Sequence, residues 1–254
     1  MYYLGLDIGS ISVNAVLLTR DFEIKEEHYE RTLGQPIETT HKVLTDILSR
    51  TPKSSIFGIA VTGTGGSLAA ELLNGFFINE IIAQSMATSH LHPEIRSIIE
   101  IGGEDAKLIL LEPAANNGKT RIKDFAMNTV CAAGTGSFLD QQAARLGIDI
   151  ENEFSRLALK STHSPRIAGR CSVFAKSDMI HLQQVATPHY DIIMGLCVAM
   201  ARNFKSNVAK GFELERPIAF QGGVAANQGM VRAFETVLEL KPGVLASAIF
   251  HSLR

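Results

Sequence analysis

Two cysteines stand out for their surroundings: Cys131 in Asn128-Thr-Val-Cys-Ala-Ala-Gly-Thr-Gly136, and Cys171 in Gly169-Arg-Cys-Ser-Val-Phe174. Neither belongs to a Cys-x-x-Cys pair. An iron–sulfur cluster ordinarily takes four thiolates, and one chain offers two here. Two copies around a two-fold axis would supply all four, because a symmetric interface presents the same patch from both subunits. Gly134-Thr135-Gly136 reads as a helix start, with the helix running from about 137 to 146, so Cys131 lies near a positive dipole end that would lower its thiol pKa. A second helix is expected over 177–185, after Cys171. Both thiols thus fit a design in which helix N-termini converge on one anionic centre. Two buried, inert cysteines would show the same spacing. Cys197, in the apolar stretch Ile193–Met200, reads as core.

Three glycine-rich strand ends carry a different chemistry. Asp7-Ile-Gly-Ser-Ile-Ser12 joins a carboxylate to Gly9 and to the hydroxyls of Ser10 and Ser12. Glycine lets backbone N–H groups approach a phosphate closely, and a carboxylate can hold Mg²⁺ through water. Taken alone, this reads first as a hairpin turn closed by an Asx hydrogen bond. Glu100-Ile-Gly-Gly-Glu-Asp-Ala-Lys107 repeats the logic, setting Glu100, Glu104 and Asp105 around Gly102 and Gly103. Paired glycines weaken an apolar hairpin and need a reason; phosphate approach supplies one. Phe220-Gln-Gly-Gly-Val-Ala-Ala-Asn227 is the third, where Gly222 and Gly223 would let an adenosine pack against backbone ahead of a helix from about 228. Two acidic hairpins facing each other across a cleft would hold a Mg²⁺-nucleotide. The chain has no Gly-x-x-x-x-Gly-Lys-Ser/Thr loop and no Gly-x-Gly-x-x-Gly with a ribose carboxylate, which argues against P-loop and dinucleotide folds.

The elements that must position these groups recur as a pattern. Strands are expected at 2–6, 13–18 and 23–29, a helix at 36–49, a buried strand at 56–61, and helices at 67–73 and 80–90. Strands then return at 95–101, 106–111 and 121–126, with a turn at Asn116-Asn-Gly118, before helices dominate and a last strand spans 217–220. Two units of strand–turn–strand–strand followed by helices suggest an internal structural duplication. The expected division is 1–92 and 93–254, in one bilobal α/β body.

The bulk numbers fit that body and narrow its partners. The chain has 254 residues, 46% hydrophobic and 20% charged, with a net charge of -2. That balance gives no electrostatic reason to expect nucleic acid or an anionic membrane. No basic leader opens the chain, no apolar run approaches a membrane span, and three scattered cysteines are no secreted disulfide scaffold. A cytoplasmic protein is expected.

Taken together, Leu6-Asp-Ile-Gly-Ser10, Ile101-Gly-Gly-Glu-Asp-Ala-Lys107, Met127-Asn-Thr-Val-Cys-Ala-Ala-Gly-Thr-Gly-Ser-Phe-Leu139, Gly169-Arg-Cys-Ser-Val-Phe-Ala-Lys-Ser-Asp-Met179 and Gly222-Gly-Val-Ala-Ala-Asn227 resemble the activator family of 2-hydroxyacyl-CoA dehydratases. That family includes the ATPase subunits of benzoyl-CoA reductases. The resemblance implies the actin/Hsp70/sugar-kinase fold, with two ribonuclease-H-like lobes and ATP between them. It implies a homodimer sharing one [4Fe–4S] cluster, with Cys131 and Cys171 of each subunit as ligands. Asp7–Ser12 would be the first phosphate loop, with Gly9, Ser10 and Ser12 on the phosphates; Gly102, Gly103, Glu104 and Asp105 would form the second. Asp7, Glu100 and Asp105 would position Mg²⁺ and water, and Gly222, Gly223 and Asn227 would lie at the adenosine. A dehydratase or reductase component would receive the electron, and a ferredoxin or flavodoxin would supply it. Three positions depart from the family: Asn14 where many relatives have lysine, Glu100 where aspartate is usual, and a closing segment 242–254 unlike the usual closing strand and helix. A small-molecule kinase of the same fold, or a nucleotide-responsive regulator with redox-sensing cysteines, are the competing readings.

Overall fold

The structure, a computed structural model, describes residues 1–112, 121–128, 132–169 and 171–247. Cys131, Arg170 and the Asn116-Asn-Gly118 turn therefore lie outside the described residues.

Period-two patterning builds the first sheet. Strand β1 (Tyr2–Ile8) buries Leu4, Leu6 and Ile8, and β2 (Ser12–Thr19) buries Val13, Ala15 and Leu17, so each strand turns alternate residues toward one face. Strand β3 (Ile24–Arg31) pairs antiparallel with β2, which pairs antiparallel with β1. Helix α1 (Pro36–Arg50) starts on a proline, whose missing N–H costs nothing in a first turn, and buries Thr39, Val43 and Ile47 at four-residue spacing. Strand β4 (Ile56–Thr62) then returns parallel to β1. Helix α2 (Gly66–Leu73) leads to β5 (Phe76–Phe77), parallel to β4, and helix α3 (Glu80–Leu91) follows. The strand order is β3-β2-β1-β4-β5. Sequence periodicity misses β5 because two residues carry no period.

The second sheet repeats that topology. Strands β6 (Ser97–Ile101), β7 (Ala106–Glu112) and β8 (Arg121–Asn128) pair antiparallel in succession. All of β6 is buried, and so is β7 apart from Glu112; a sheet covered on both faces reads as unbroken apolar runs. Helices α4 (Gly136–Leu146), α5 (Ser155–Lys160), α6 (Ser172–Gln184) and α7 (His189–Asn207) come next. Strand β9 (Ile218–Gln221) lies parallel to β6, helix α8 (Gln228–Val237) follows, and β10 (Ala246–Ser247) lies parallel to β9. The order β10-β9-β6-β7-β8, read from its other end, matches the first sheet strand for strand. Part of the closing segment thus adds an edge strand, which its composition did not suggest.

Two compact units result, Met1–Ala87 and a larger one beginning at Thr88, each with its own apolar cluster. Leu6, Val13, Leu17, Val43 and Ile47 centre the first; Ile99, Leu108, Phe138, Phe204, Phe220 and Phe234 centre the second. Helix α6 begins five residues before the expected 177. Ala175 and Met179, four apart and both buried, seat it on the core from its first turn. Among the described residues no helix is long and apolar enough to cross a membrane.

Candidate nucleotide turns and cysteine segment

Asp7 sits one residue from the end of β1, opposite Asn14 on β2 and Thr62 on β4. The Asn14 amide donates to Asp7 Oδ2 at 3.3 Å and to Ser12 Oγ at 3.4 Å, so it ties the carboxylate to the far side of its own turn. Gly9 N–H donates to the Ser12 carbonyl at 3.0 Å, and the Thr32 hydroxyl donates to the Ser10 carbonyl. Beneath Asp7 lies Gly63, at φ +86°, where a β-carbon would stand 2.5 Å from Asp7 Oδ1. Only glycine leaves that floor open. Thr62 has a buried hydroxyl with no hydrogen-bond partner among the described residues. An unmet polar group beside a strand-end carboxylate is what a bound water, phosphate or hydrated cation would satisfy, so the turn fits the group expected there.

The second turn is built around a buried cation. Lys107 on β7 is 1% exposed and Glu100 on β6 is 3% exposed. Lys107 Nζ lies 2.9 Å from Glu100 Oε2 and 2.8 Å from Asp105 Oδ2. Glu100 Oε1 faces the strand-end glycines: a β-carbon at Gly102 would be 3.3 Å from it, and one at Gly222 only 2.8 Å. Glutamate's additional methylene therefore takes up space that these two glycines leave empty. Gly102 N–H donates to the Asp105 carbonyl at 3.1 Å, closing the turn. Gly103 and Glu104 form its tip, Glu104 exposed.

That turn rests on the start of α4. Gly136 N–H donates to the Gly102 carbonyl at 2.8 Å, and Ser137 N–H and Oγ donate to the Gly103 carbonyl at 2.9 and 2.6 Å. Gly222 ends β9 at φ +86°, and a β-carbon there would meet the Ile101 carbonyl at 2.4 Å. Gly223 is exposed, with open space where a β-carbon would point. Asn227 has a local duty: its Oδ1 caps α8, accepting from Gly229 N–H at 2.9 Å and Met230 N–H at 3.3 Å.

Cys171 is the N-cap residue of α6, half-buried, and borders a groove of about 880 Å³ that Arg166, Phe174 and Arg202 also line. A cysteine at a helix start, in a groove that two arginines also border, suits an anionic inorganic centre. Asn203 on α7, buried, donates through Nδ2 to the Gly169 carbonyl two residues before Cys171. Its Oδ1 faces Gly134, where a β-carbon would stand 3.2 Å away.

Cys197 behaves as the sequence suggests. It is fully buried on α7, and burial pushes its thiol up from 9.0 to about 12. Folded protein thus keeps a proton that the unfolded chain releases above about pH 9, so this group's contribution to stability falls as pH rises through that window. In native cluster-free protein at pH 8, iodoacetamide should label Cys171 and leave Cys197 untouched until denaturant is added; mass spectrometry of the labelled peptides checks this.

The structure therefore brings Glu100, Gly102, Asp105 and Gly222 together in the second unit and gathers Asp7, Gly9 and Ser12 in the first. Sequence reasoning singled out neither Lys107 nor Asn203 nor Gly63. Lys107 had left a signal, because a lone lysine within Ala106-Lys-Leu-Ile-Leu-Leu111 must find a counter-charge. Asn203 and Gly63 left none.

Comparison with known proteins adds to this geometry. The sequence model of the BadF/BadG/BcrA/BcrD ATPase family matches residues 4–249. The 2-hydroxyisocaproyl-CoA dehydratase activator of Clostridioides difficile is 34% identical over 238 residues, spanning 92% of this chain and 85% of that one. Component A of the Acidaminococcus fermentans (R)-2-hydroxyglutaryl-CoA dehydratase superimposes with a TM-score of 0.86 at 29% identity, over 95% of this chain and 90% of that one. The Clostridium difficile activator crystallised with ADPNP gives 0.85 at 30% identity, over 98% and 89%. The repeated mixed sheets are those of the actin-like activator ATPases, the α/β fold that sugar kinases also use.

Proposed function

Because the chain belongs to the BadF/BadG/BcrA/BcrD ATPase family, we propose that it hydrolyses ATP to drive a low-potential electron onto a 2-hydroxyacyl-CoA dehydratase or a benzoyl-CoA-reductase-type partner. One observation carries this reading: a run of contacts links the Gly102–Gly103 turn to the segments around both cysteines. Gly136 and Ser137 hold that turn; Gly134, two residues earlier and three after Cys131, packs on Asn203; and Asn203 holds Gly169 beside Cys171. A phosphate turn and a cysteine segment that share one helix start and one buried asparagine can move as a unit.

In this reading the backbone of Gly9–Ser12 and Gly102–Asp105 binds the phosphates, and Gly222, Gly223 and Asn227 lie at the adenosine. Asp7, Glu100 and Asp105 are the carboxylates assigned to hydrated Mg²⁺ and the attacking water. Such hydrolysis needs positioning and charge neutralisation around the γ-phosphate, with no covalent nucleophile. Cys131 and Cys171 from each subunit of a homodimer hold a [4Fe–4S] cluster, which when bound supplies one electron at low potential. A ferredoxin or flavodoxin reloads it in the cytoplasm. The conformational change on nucleotide turnover passes through α4 and Asn203 to the cysteines.

The test is protein purified without oxygen, assayed for iron, acid-labile sulfide and ATPase rate together. About four iron and four sulfide per dimer are expected, with ATP hydrolysis that needs no small-molecule acceptor. Iron-free protein whose ATP consumption depends on an added sugar would replace this reading with a kinase.

A further inference from the structure

Lys107 is out of place by composition and fixed in place by geometry. It lies between Ala106 and Leu108 on a strand whose neighbours are buried and apolar, with its ammonium 2.9 Å from Glu100 and 2.8 Å from Asp105. Burying an ammonium costs several kcal/mol unless it is closely paired, so the lysine does not leave this pair of carboxylates. It also orients them. One oxygen of Glu100 is committed to the ammonium and the other is turned toward Gly102 and Gly222.

Charge decides what such a turn can bind. Around its ammonium Lys107 sets one positive charge against the two negative charges of Glu100 and Asp105. Without the lysine, two carboxylates at adjacent strand ends form a trap for a free divalent cation and repel a polyphosphate. We propose that Lys107 is a positioning residue that makes the β6–β7 turn accept a metal–nucleotide in preference to a bare divalent cation. This rests on the ATPase reading above and adds to it the residue that sets ligand choice.

Two binding measurements on the full chain separate this role from mere support of the fold. One is binding of Mn²⁺ without nucleotide, read from loss of the aqueous Mn²⁺ EPR signal. The other is binding of Mg²⁺-ADPNP, read by calorimetry. In Lys107→Met, ADPNP affinity should fall by about tenfold or more while Mn²⁺ affinity rises by about threefold or more, because the same added negative charge acts with opposite sign on the two ligands. Structural damage would weaken both. Lys107→Arg keeps the positive charge between the two carboxylates, and both affinities should stay within about threefold of the unmodified protein. The proposal is overturned if Lys107→Met moves both affinities the same way or neither, or if Lys107→Arg shifts them as Lys107→Met does. Should Lys107→Met not fold, Lys107→Gln, uncharged but able to donate hydrogen bonds to both carboxylates, takes its place under the same criteria. Unmodified protein that binds no ADPNP would instead sink the ATPase reading, a separate outcome.

Discussion

Gly222→Ala should destabilise the second unit by about 2–6 kcal/mol and abolish nucleotide binding. Gly222 stands at φ +86°, ψ 168°, a conformation that only glycine adopts readily. A methyl group there would also sit 2.4 Å from the Ile101 carbonyl and 2.8 Å from Glu100 Oε1. The first clash is with the backbone of β6, the fully buried strand beside β9, so no rotamer change relieves it. The second pushes on the carboxylate held by Lys107. Strain and overpacking each cost about 1–3 kcal/mol, a large share of the ~5–15 kcal/mol that holds a domain folded. Gly223→Ala is the matched control, since a β-carbon at the next position meets nothing within 4 Å. Urea unfolding followed by ADPNP titration reads both effects. A Gly222→Ala protein with normal stability and normal affinity would show that the strand end accepts a side chain.

With Cys171 as a ligand of the proposed cluster, Cys171→Ala should remove that cluster entirely while leaving the fold intact. Its backbone does the structural work: the Cys171 carbonyl accepts from Ala175 N–H at 3.0 Å, and Asp178 Oδ2 accepts from Ala168 N–H at 2.8 Å just upstream. Neither bond involves the thiol, so alanine keeps both. In the proposed dimer, losing one of two ligands per subunit would leave a shared four-thiolate centre with half its set, and visible absorbance and iron content should drop to background. Cys131→Ala should do the same. Cys197→Ala gives the contrast: a fully buried sulfur in the core is lost at about 1 kcal/mol or more of stability, and iron is retained. Full cluster absorbance in the Cys171 variant would refute the ligand assignment.

Gly169 holds the chain that carries Cys171 against the core. A β-carbon at Gly169 would lie 2.4 Å from the Ala199 carbonyl, so the chain leading to Cys171 presses directly on α7. That contact, with the Asn203 amide on the Gly169 carbonyl, fixes where the thiol enters the groove beside Arg202.

What could be read from the chain is what depends on neighbours in sequence. Period-two burial in Tyr2–Ile8 and Ser12–Thr19, four-residue spacing in α1, and carboxylate–glycine turns after β1 and β6 follow from local geometry, because side-chain direction repeats with the backbone. The cysteine segments and glycine pairs were legible for the same reason: few local conformations need those residue types at those intervals. Folding in space decided the rest. Lys107 meets Glu100 because adjacent strands place the two residues opposite each other, and Asn203 meets Gly169 across 34 residues. The length of α6, the two-residue strands β5 and β10, and the need for glycine at 63, 169 and 222 came from packing against distant segments. A β-carbon is excluded by whatever chain lies beside it, and the order of residues does not name that neighbour until the sheets have formed.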